Sequence, residues 1–164
     1  MKKAFIFTIV PIDESLRSTV QALIDDSWAG PYIAVNGRLW DTRAMPGFAA
    51  LDLRGIIAGY LCYAVHDSEC EIMVLESLRE NAGIGTGLVN EAITAAKDAG
   101  LKKIAVITTN DNIRAIRFYQ KRGFTLRALR ANMLDTSRKL KPGIPLTGKD
   151  GIPLRDELEL ELEL

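Results

Sequence analysis

The sequence predicts an α/β domain built on a mixed sheet, an antiparallel meander leading into a buried parallel strand, with helices on its faces. Three observations predict it. Apolar runs "GFAALDL", "IIAGYLCYAV" and "CEIMVLESL" follow one another with only short turns between them at Arg54–Gly55 and His66–Ser68. After Gly83 the apolar period changes to that of a helix, through Leu88, Val89, Ala92, Ile93 and Ala96. "KKIAVITT" is then continuously apolar, as strands buried on both faces are.

In chain order, "AFIFTIV" reads as a first strand. Lys2 and Lys3 precede an apolar run, as in a secretory leader, but Asp13 and Glu14 stand where small cleavage-site residues would be. Ser15 to Asp25 carries Leu16, Val20, Leu23 and Ile24 at helical spacing. Trp28 to Gly47, rich in Gly, Pro and aromatics, reads as a long irregular surface segment. The meander follows, then the helix stopped at Gly100, then the buried strand. Asn110–Asp111–Asn112 caps a short helix that runs through Arg122 and stops at Gly123. "FTL" is a strand and "RANMLDTSRKL" is helix-like. A Pro/Gly-rich loop over 141–153 leads to alternating Glu157, Glu159, Glu161, Glu163 and Leu158, Leu160, Leu162, Leu164. That period of two predicts a strand with one apolar and one acidic face. No repeat or linker divides the 164 residues, so one domain over 1–164 is expected.

Composition narrows the function. Twenty-one Lys plus Arg balance 21 Asp plus Glu, leaving no basic excess for nucleic acid. The longest apolar run, Ile56 to Val65, is too short to cross a bilayer. Cys62 and Cys70 form no Cys-x-x-Cys pair and read as buried thiols of a cytoplasmic protein. The single His66 leaves no usual metal-ligand set and reads as a turn residue.

The stretch "LRENAGIGTG", Leu78 to Gly87, holds three glycines between a strand and a helix start. That is the form of a phosphate cradle, because main-chain amides at a helix N-terminus face an anion that a Cβ would keep away. A dinucleotide fingerprint needs Gly-x-Gly-x-x-Gly and an acidic residue about twenty positions on. Here the spacing is Gly83-x-Gly85-x-Gly87, and Lys102–Lys103 stand downstream. A triphosphate loop needs Gly-Lys-Ser/Thr, which is absent. What is left is a ligand whose pyrophosphate is held mostly by backbone amides.

One element later, "NDNIRAIRFYQKRGF" sets Asn112, Ala115, Tyr119, Gly123 and Phe124 at the spacing Asn-x-x-Ala-x-x-x-Tyr-x-x-x-Gly-Phe. With "GIGTGL" and the element order, this resembles the GNAT superfamily of acyl-CoA N-acyltransferases, over nearly the whole chain. The Pro/Gly-rich tail is similar to that of small members whose acceptors are mostly unassigned. The resemblance implies a central parallel strand pair splayed at the cofactor site. It implies an N-acetyltransferase with acetyl-CoA as donor and an amine, on a small molecule or peptide, as acceptor. It implies direct attack with both substrates bound, and it leaves a homodimer open. The other reading of the same fold is a non-catalytic acyl-CoA-binding or interaction module.

Residue by residue, the resemblance puts acetyl-CoA on Leu78, Arg79, Ala82, Gly83, Ile84, Gly85, Thr86, Asn112 and Tyr119. The family motif usually opens with Gln or Arg where Glu80 stands, so Glu80 is expected to point away and Arg79 to supply the positive charge. Tyr119 matches the general acid for the leaving thiolate, beside its plain reading as a packing residue; Asn112 is equally an ordinary N-cap. For a base the sequence offers Glu76, which by alternation shares its side of the strand with Ile72 and Val74, with Leu78 beyond. Glu71, on the other face with Met73 and Leu75, is the second choice. Arg114, Lys121 and Arg122 are in reach of phosphates or simply solvated. Trp28, Tyr32, Trp40 and Asp41 lie in the segment that walls the acceptor side in relatives. Cys62 and Cys70 have no part, since direct transfer needs no covalent nucleophile.

Overall fold

The computed structural model describes residues 4–164, so the Lys2–Lys3 pair lies outside it. The elements are β1 (Phe7–Pro11), α1 (Glu14–Trp28), β2 (Tyr32–Val35), β3 (Arg38–Asp41), β4 (Gly47–Asp52), β5 (Ile57–His66), β6 (Glu69–Ser77), α2 (Ile84–Asp98), β7 (Lys103–Thr109), α3 (Ile113–Gln120), β8 (Thr125–Arg130), α4 (Met133–Leu140) and β9 (Glu157–Glu163). Among the described residues seven strands form one sheet in the order β1-β4-β5-β6-β7-β9-β8, and β2-β3 form a separate hairpin. Only β6 and β7 pair in parallel among the described residues; the meander β4-β5-β6 is antiparallel, as the short turns require.

Each face of the sheet has its own core. On one, α2 buries Ile84, Leu88, Val89, Ala92 and Ala96. On the other, α1 buries Val20 and Ile24 with Met73, Val74, Tyr60 and the hairpin's Ile33. Helix α1 is capped by Asp13, whose Oδ1 accepts from the Ser15 and Leu16 amides at 3.0 and 3.2 Å. It runs on to Trp28, past the expected Asp25, and ends where Ala29 turns left-handed. Helix α2 lies close on β1: a Cβ at Gly87 would stand 2.7 Å from Ile9 Cδ1.

Two expectations are corrected, and a third is extended. The segment Trp28–Gly47 is not irregular throughout, because it holds the β2-β3 hairpin. Its two-residue turn is Asn36–Gly37, with φ of 52° and 69°, the pair that matches the twist of a tight hairpin. Strand β8 continues through Arg130 instead of stopping at "FTL". Antiparallel pairing with β9 extends it, and the helix begins only after Asn132 turns left-handed at φ 59°. The Glu/Leu strand β9 is central, between β7 and β8. Its acidic face is therefore covered: Glu157 is 2% and Glu159 8% exposed. Arg127 and Arg130 of β8 answer these charges, Arg127 reaching Glu161 at 2.8 Å and Arg130 pairing with Glu159.

Candidate functional site

Strands β6 and β7 pair only from Cys70–Ile104 to Ile72–Val106; beyond that point they diverge. At the same place β6 carries a bulge. Tyr63 pairs with Ile72 and Cys62 with Val74, so Met73 is an extra residue. The divergence opens two hollows. One, of about 320 Å³, is lined by Leu75, Val106, Gly85, Phe118 and Tyr119 on the α2/α3 side. The other, of about 560 Å³, lies toward α1, the hairpin and the Pro/Gly-rich loop. Trp28, Met73, Ile107, Thr108 and Asn112 line both.

The glycine loop stands at the mouth of the first hollow. Gly83 is the N-cap of α2 at φ +78°, a conformation that suits glycine, and among the described residues no side chain caps the helix. The amides of Ile84, Gly85 and Thr86 thus begin a helix whose first-turn donors have no side-chain acceptor. A cradle for an anion fits this end of the helix. Arg122 supplies a cation beside it: the guanidinium donates to Thr86 Oγ1, at 3.1 Å from Nε, and to the Phe118 carbonyl at 2.7 Å. It also stacks 3.5 Å over the Phe118 ring. Arg79 instead lies 4.7 Å over Phe5 and lines neither hollow. Glu80 pairs with Arg114 at 3.1 Å, both well exposed. Leu78 is half-exposed and its amide donates to the Ala58 carbonyl; Ala82 is half-buried.

Tyr119 is 4% exposed and packs its ring edge-on to Phe118 and Phe124, at 5.0 and 5.2 Å between centroids, while lining the first hollow. Core packing and cleft position coincide. Burial pushes its phenol above the ordinary value, so it carries its proton at neutral pH. Asn112 likewise combines both readings. Its Oδ1 accepts from the Ala115 amide at 3.3 Å as the α3 cap, and it lines both hollows.

The bulge reassigns the carboxylates. Ile72 packs toward α2, Met73 and Val74 both toward α1, and Leu75 again toward α2. Glu76 therefore does not share a face with Ile72, as simple alternation predicts. It turns to the α1 side, where the Tyr60 hydroxyl donates to Oε2 and Ser27 Oγ donates to Oε1 at 3.1 Å. Glu76 lines neither hollow, but Ser27 lines the second. Glu71 pairs with His66 Nε2, and Asp67 holds His66 Nδ1 at 3.1 Å. His66 is thus the last residue of β5 and a partner of a buried carboxylate, with Trp40 at 5.1 Å, and more than a turn residue. Of the four aromatic-segment residues, only Trp28 lines the hollows; Asp41 is bound to Arg43, which also covers Tyr32. Burial pushes the Cys62 and Cys70 thiols up to about 11 and about 12, which keeps them protonated.

Glu157 escapes a reading by motif. It is 2% exposed, lines the second hollow, and accepts the Asn36 amide at 3.1 Å from both oxygens. The signal for it was the acidic face of the Glu/Leu alternation, which becomes informative only once that strand is known to be central.

The family model of the acetyltransferase (GNAT) family matches residues 17–124. The uncharacterized Bacillus subtilis (strain 168) protein YxbD is 39% identical over 156 residues, which cover 95% of this chain and 98% of that one. A Bacillus subtilis acetyltransferase solved in complex with CoA superposes with a TM-score of 0.71 at 22% identity, over 97% of this chain and 99% of that one. A GNAT family acetyltransferase from Elizabethkingia anophelis with acetyl-CoA bound gives 0.70 at 24% identity, over 96% and 98%.

Proposed function

The chain belongs to the GNAT acetyltransferase family, and from that premise we propose that it is an N-acetyltransferase, moving the acetyl group of acetyl-CoA to an amine by direct attack with both substrates bound. One observation carries the reading: two hollows on opposite faces of the sheet meet where β6 and β7 part. A thioester entering from the α2/α3 side and an amine entering from the other would meet there without passing each other. That two of the neighbours hold CoA or acetyl-CoA supports the donor.

The chain acts as one domain in this reading. The amides of Ala82 to Thr86 hold the pyrophosphate, with Arg122 as the added cation, and Asn112 borders the pantetheine path. An alkylamine has a pKa of about 10.4, so it must lose a proton before it attacks. Glu76 takes that proton through the Ser27 hydroxyl, which reaches the second hollow. The nitrogen then bonds to the thioester carbon. The oxyanion is met by main-chain N–H groups of β6 beyond Ile72, where no strand of β7 faces them. As the C–S bond breaks, Tyr119 protonates the leaving thiolate and is reprotonated from the amide nitrogen side by way of water.

The test is calorimetry with CoA and NADH, followed by release of free CoA thiol over polyamines, amino acids, aminoglycosides and N-terminal peptides. CoA should bind and NADH should not, and some amines should be acetylated. Binding with no turnover on any amine would return the protein to the acyl-CoA-binding module.

A further inference from the structure

The second hollow has a chemistry that narrows the acceptor, on the premise that the site transfers acetyl to an amine. Its walls are apolar: Ile33 and Val35 of the hairpin, Leu134 of α4, Ile144 of the Pro/Gly-rich segment and Leu154 just after it. Its charged lining is mostly acidic, with Asp26, Asp111 and Glu157 against the single Lys141. These charges are not equally free. Lys141 Nζ donates to the Trp28 and Tyr32 carbonyls, the latter at 2.7 Å, so it is not available to an anionic substrate. Asp111 accepts from Thr109 Oγ1 and from the Lys149 amide at 2.8 Å. Asp26 sits on the exposed rim.

Glu157 is different. A carboxylate can accept about four hydrogen bonds. Among the described residues, only one N–H, that of Asn36, reaches it, shared at 3.1 Å between the two oxygens. Arg130 is its cross-strand neighbour but commits Nη2 to Glu159. A carboxylate this buried and this poorly supplied with donors gains from an incoming cation with N–H groups.

We propose that the second hollow takes a primary amine carried on an apolar body, with Glu157 holding the ammonium group. The apolar walls receive the body, and the acidic rim draws the cation in. Polyamines, whose charges repeat along the chain, would have to desolvate a second cation against Ile33, Leu134 and Ile144. Neutral isosteres would leave Glu157 without its partner.

The experiment uses 2-phenylethylamine, 2-phenylethanol and spermidine with the full chain. On the CoA-loaded protein, 2-phenylethylamine should bind at least about tenfold tighter than 2-phenylethanol, as expected for losing a hydrogen bond to a charged group. With acetyl-CoA, it should be acetylated with a higher kcat/KM than spermidine. Glu157→Gln, which can still accept from Asn36, should raise KM for the amine by about tenfold or more and leave KM for acetyl-CoA unchanged. Equal binding of amine and alcohol, an unchanged amine KM in Glu157→Gln, or a preference for spermidine would each overturn the proposal. If Glu157→Gln does not fold, the amine–alcohol comparison on the wild-type chain decides. If CoA binds and no amine turns over, the transfer reading fails, and the same binding comparison still tests the hollow itself.

Discussion

Tyr119 does two things that one substitution separates. Its ring belongs to the α2-side core with Phe118 and Phe124, and its hydroxyl is the proton source proposed for the thiolate. Tyr119→Phe keeps the ring, so the unfolding temperature and CoA affinity should hold while turnover falls by ~10²–10⁴. An unchanged rate would leave Tyr119 as core and give the proton to water. Glu76 is read through its hydrogen bonds with Tyr60 and Ser27. If it works through the Ser27 hydroxyl, Glu76→Gln and Ser27→Ala should lower kcat alike, and high pH should recover part of the loss because more of the amine is already neutral. A Glu76 that only supports Tyr60 would show itself differently: Glu76→Gln would lower the unfolding temperature, and Ser27→Ala would leave the kinetics alone.

In the proposed reading helix α2 meets a ligand at one end and the sheet along its side, and two of its glycines divide those duties. A Cβ at Gly85 would stand 3.2 Å from the Phe118 ring, against which Arg122 is stacked. Gly85→Val should displace that pair and crowd the first-turn amides, weakening CoA binding at least about tenfold with a small change in unfolding temperature. Gly87→Val is the counterpart. Its Cβ would meet Ile9 Cδ1 at 2.7 Å, so overpacking should cost about 1–3 kcal/mol of stability. Calorimetry and thermal unfolding on both variants check the division; equal CoA affinity in Gly85→Val would remove the loop from the binding site.

Over the whole molecule, buried and paired ionisable groups set how stability follows pH. Burial pushes the Glu71 and Glu157 carboxyls above the ordinary value, the His66 and Asn36 hydrogen bonds offsetting it only in part. For His66, partial burial opposes the charge, but the hydrogen bonds with Asp67 and Glu71 together outweigh it and raise its pKa. A raised folded-state value means stability that is full below the unfolded-state value and is lost as pH rises through the folded one. For these groups the loss begins above about pH 4.3 for the glutamates and about pH 6.5 for His66. Asp52 and Asp156 act with the opposite sign. Hydrogen bonds from the Ile56 and Arg54 amides, and for Asp156 foremost from Arg155, lower their values, so their contribution disappears as pH falls below about 3.9. The unfolding temperature should therefore peak in mildly acidic solution and decline toward pH 8, and His66→Gln should flatten the decline above about pH 6.5. A wild-type curve that is level from pH 5 to 8 would contradict this.

Whatever depends on local period and turn chemistry can be read along the chain. The meander, α2 and its glycine N-terminus, the parallel strand, the α3 cap at Asn112 and the motif that joins them to the GNAT family are all written in residues near one another in the chain. The Asn36–Gly37 hairpin was equally legible, and was hidden only by its aromatic surroundings. Which side each residue faces, and what covers it, depends on contacts between distant parts of the chain. The extra residue Met73 turns Glu76 away from the face of Ile72, and a bulge is invisible to an argument that counts by two. Arg122, not Arg79, stands at the glycine loop because α3 folds back across the start of α2. Glu157 is buried because β8 and β7 enclose its strand from both edges and the hairpin tip reaches over it. Alternation places the glutamates on one face, but only the sheet order and its covering layer can make that face the wall of a cavity rather than a surface in water.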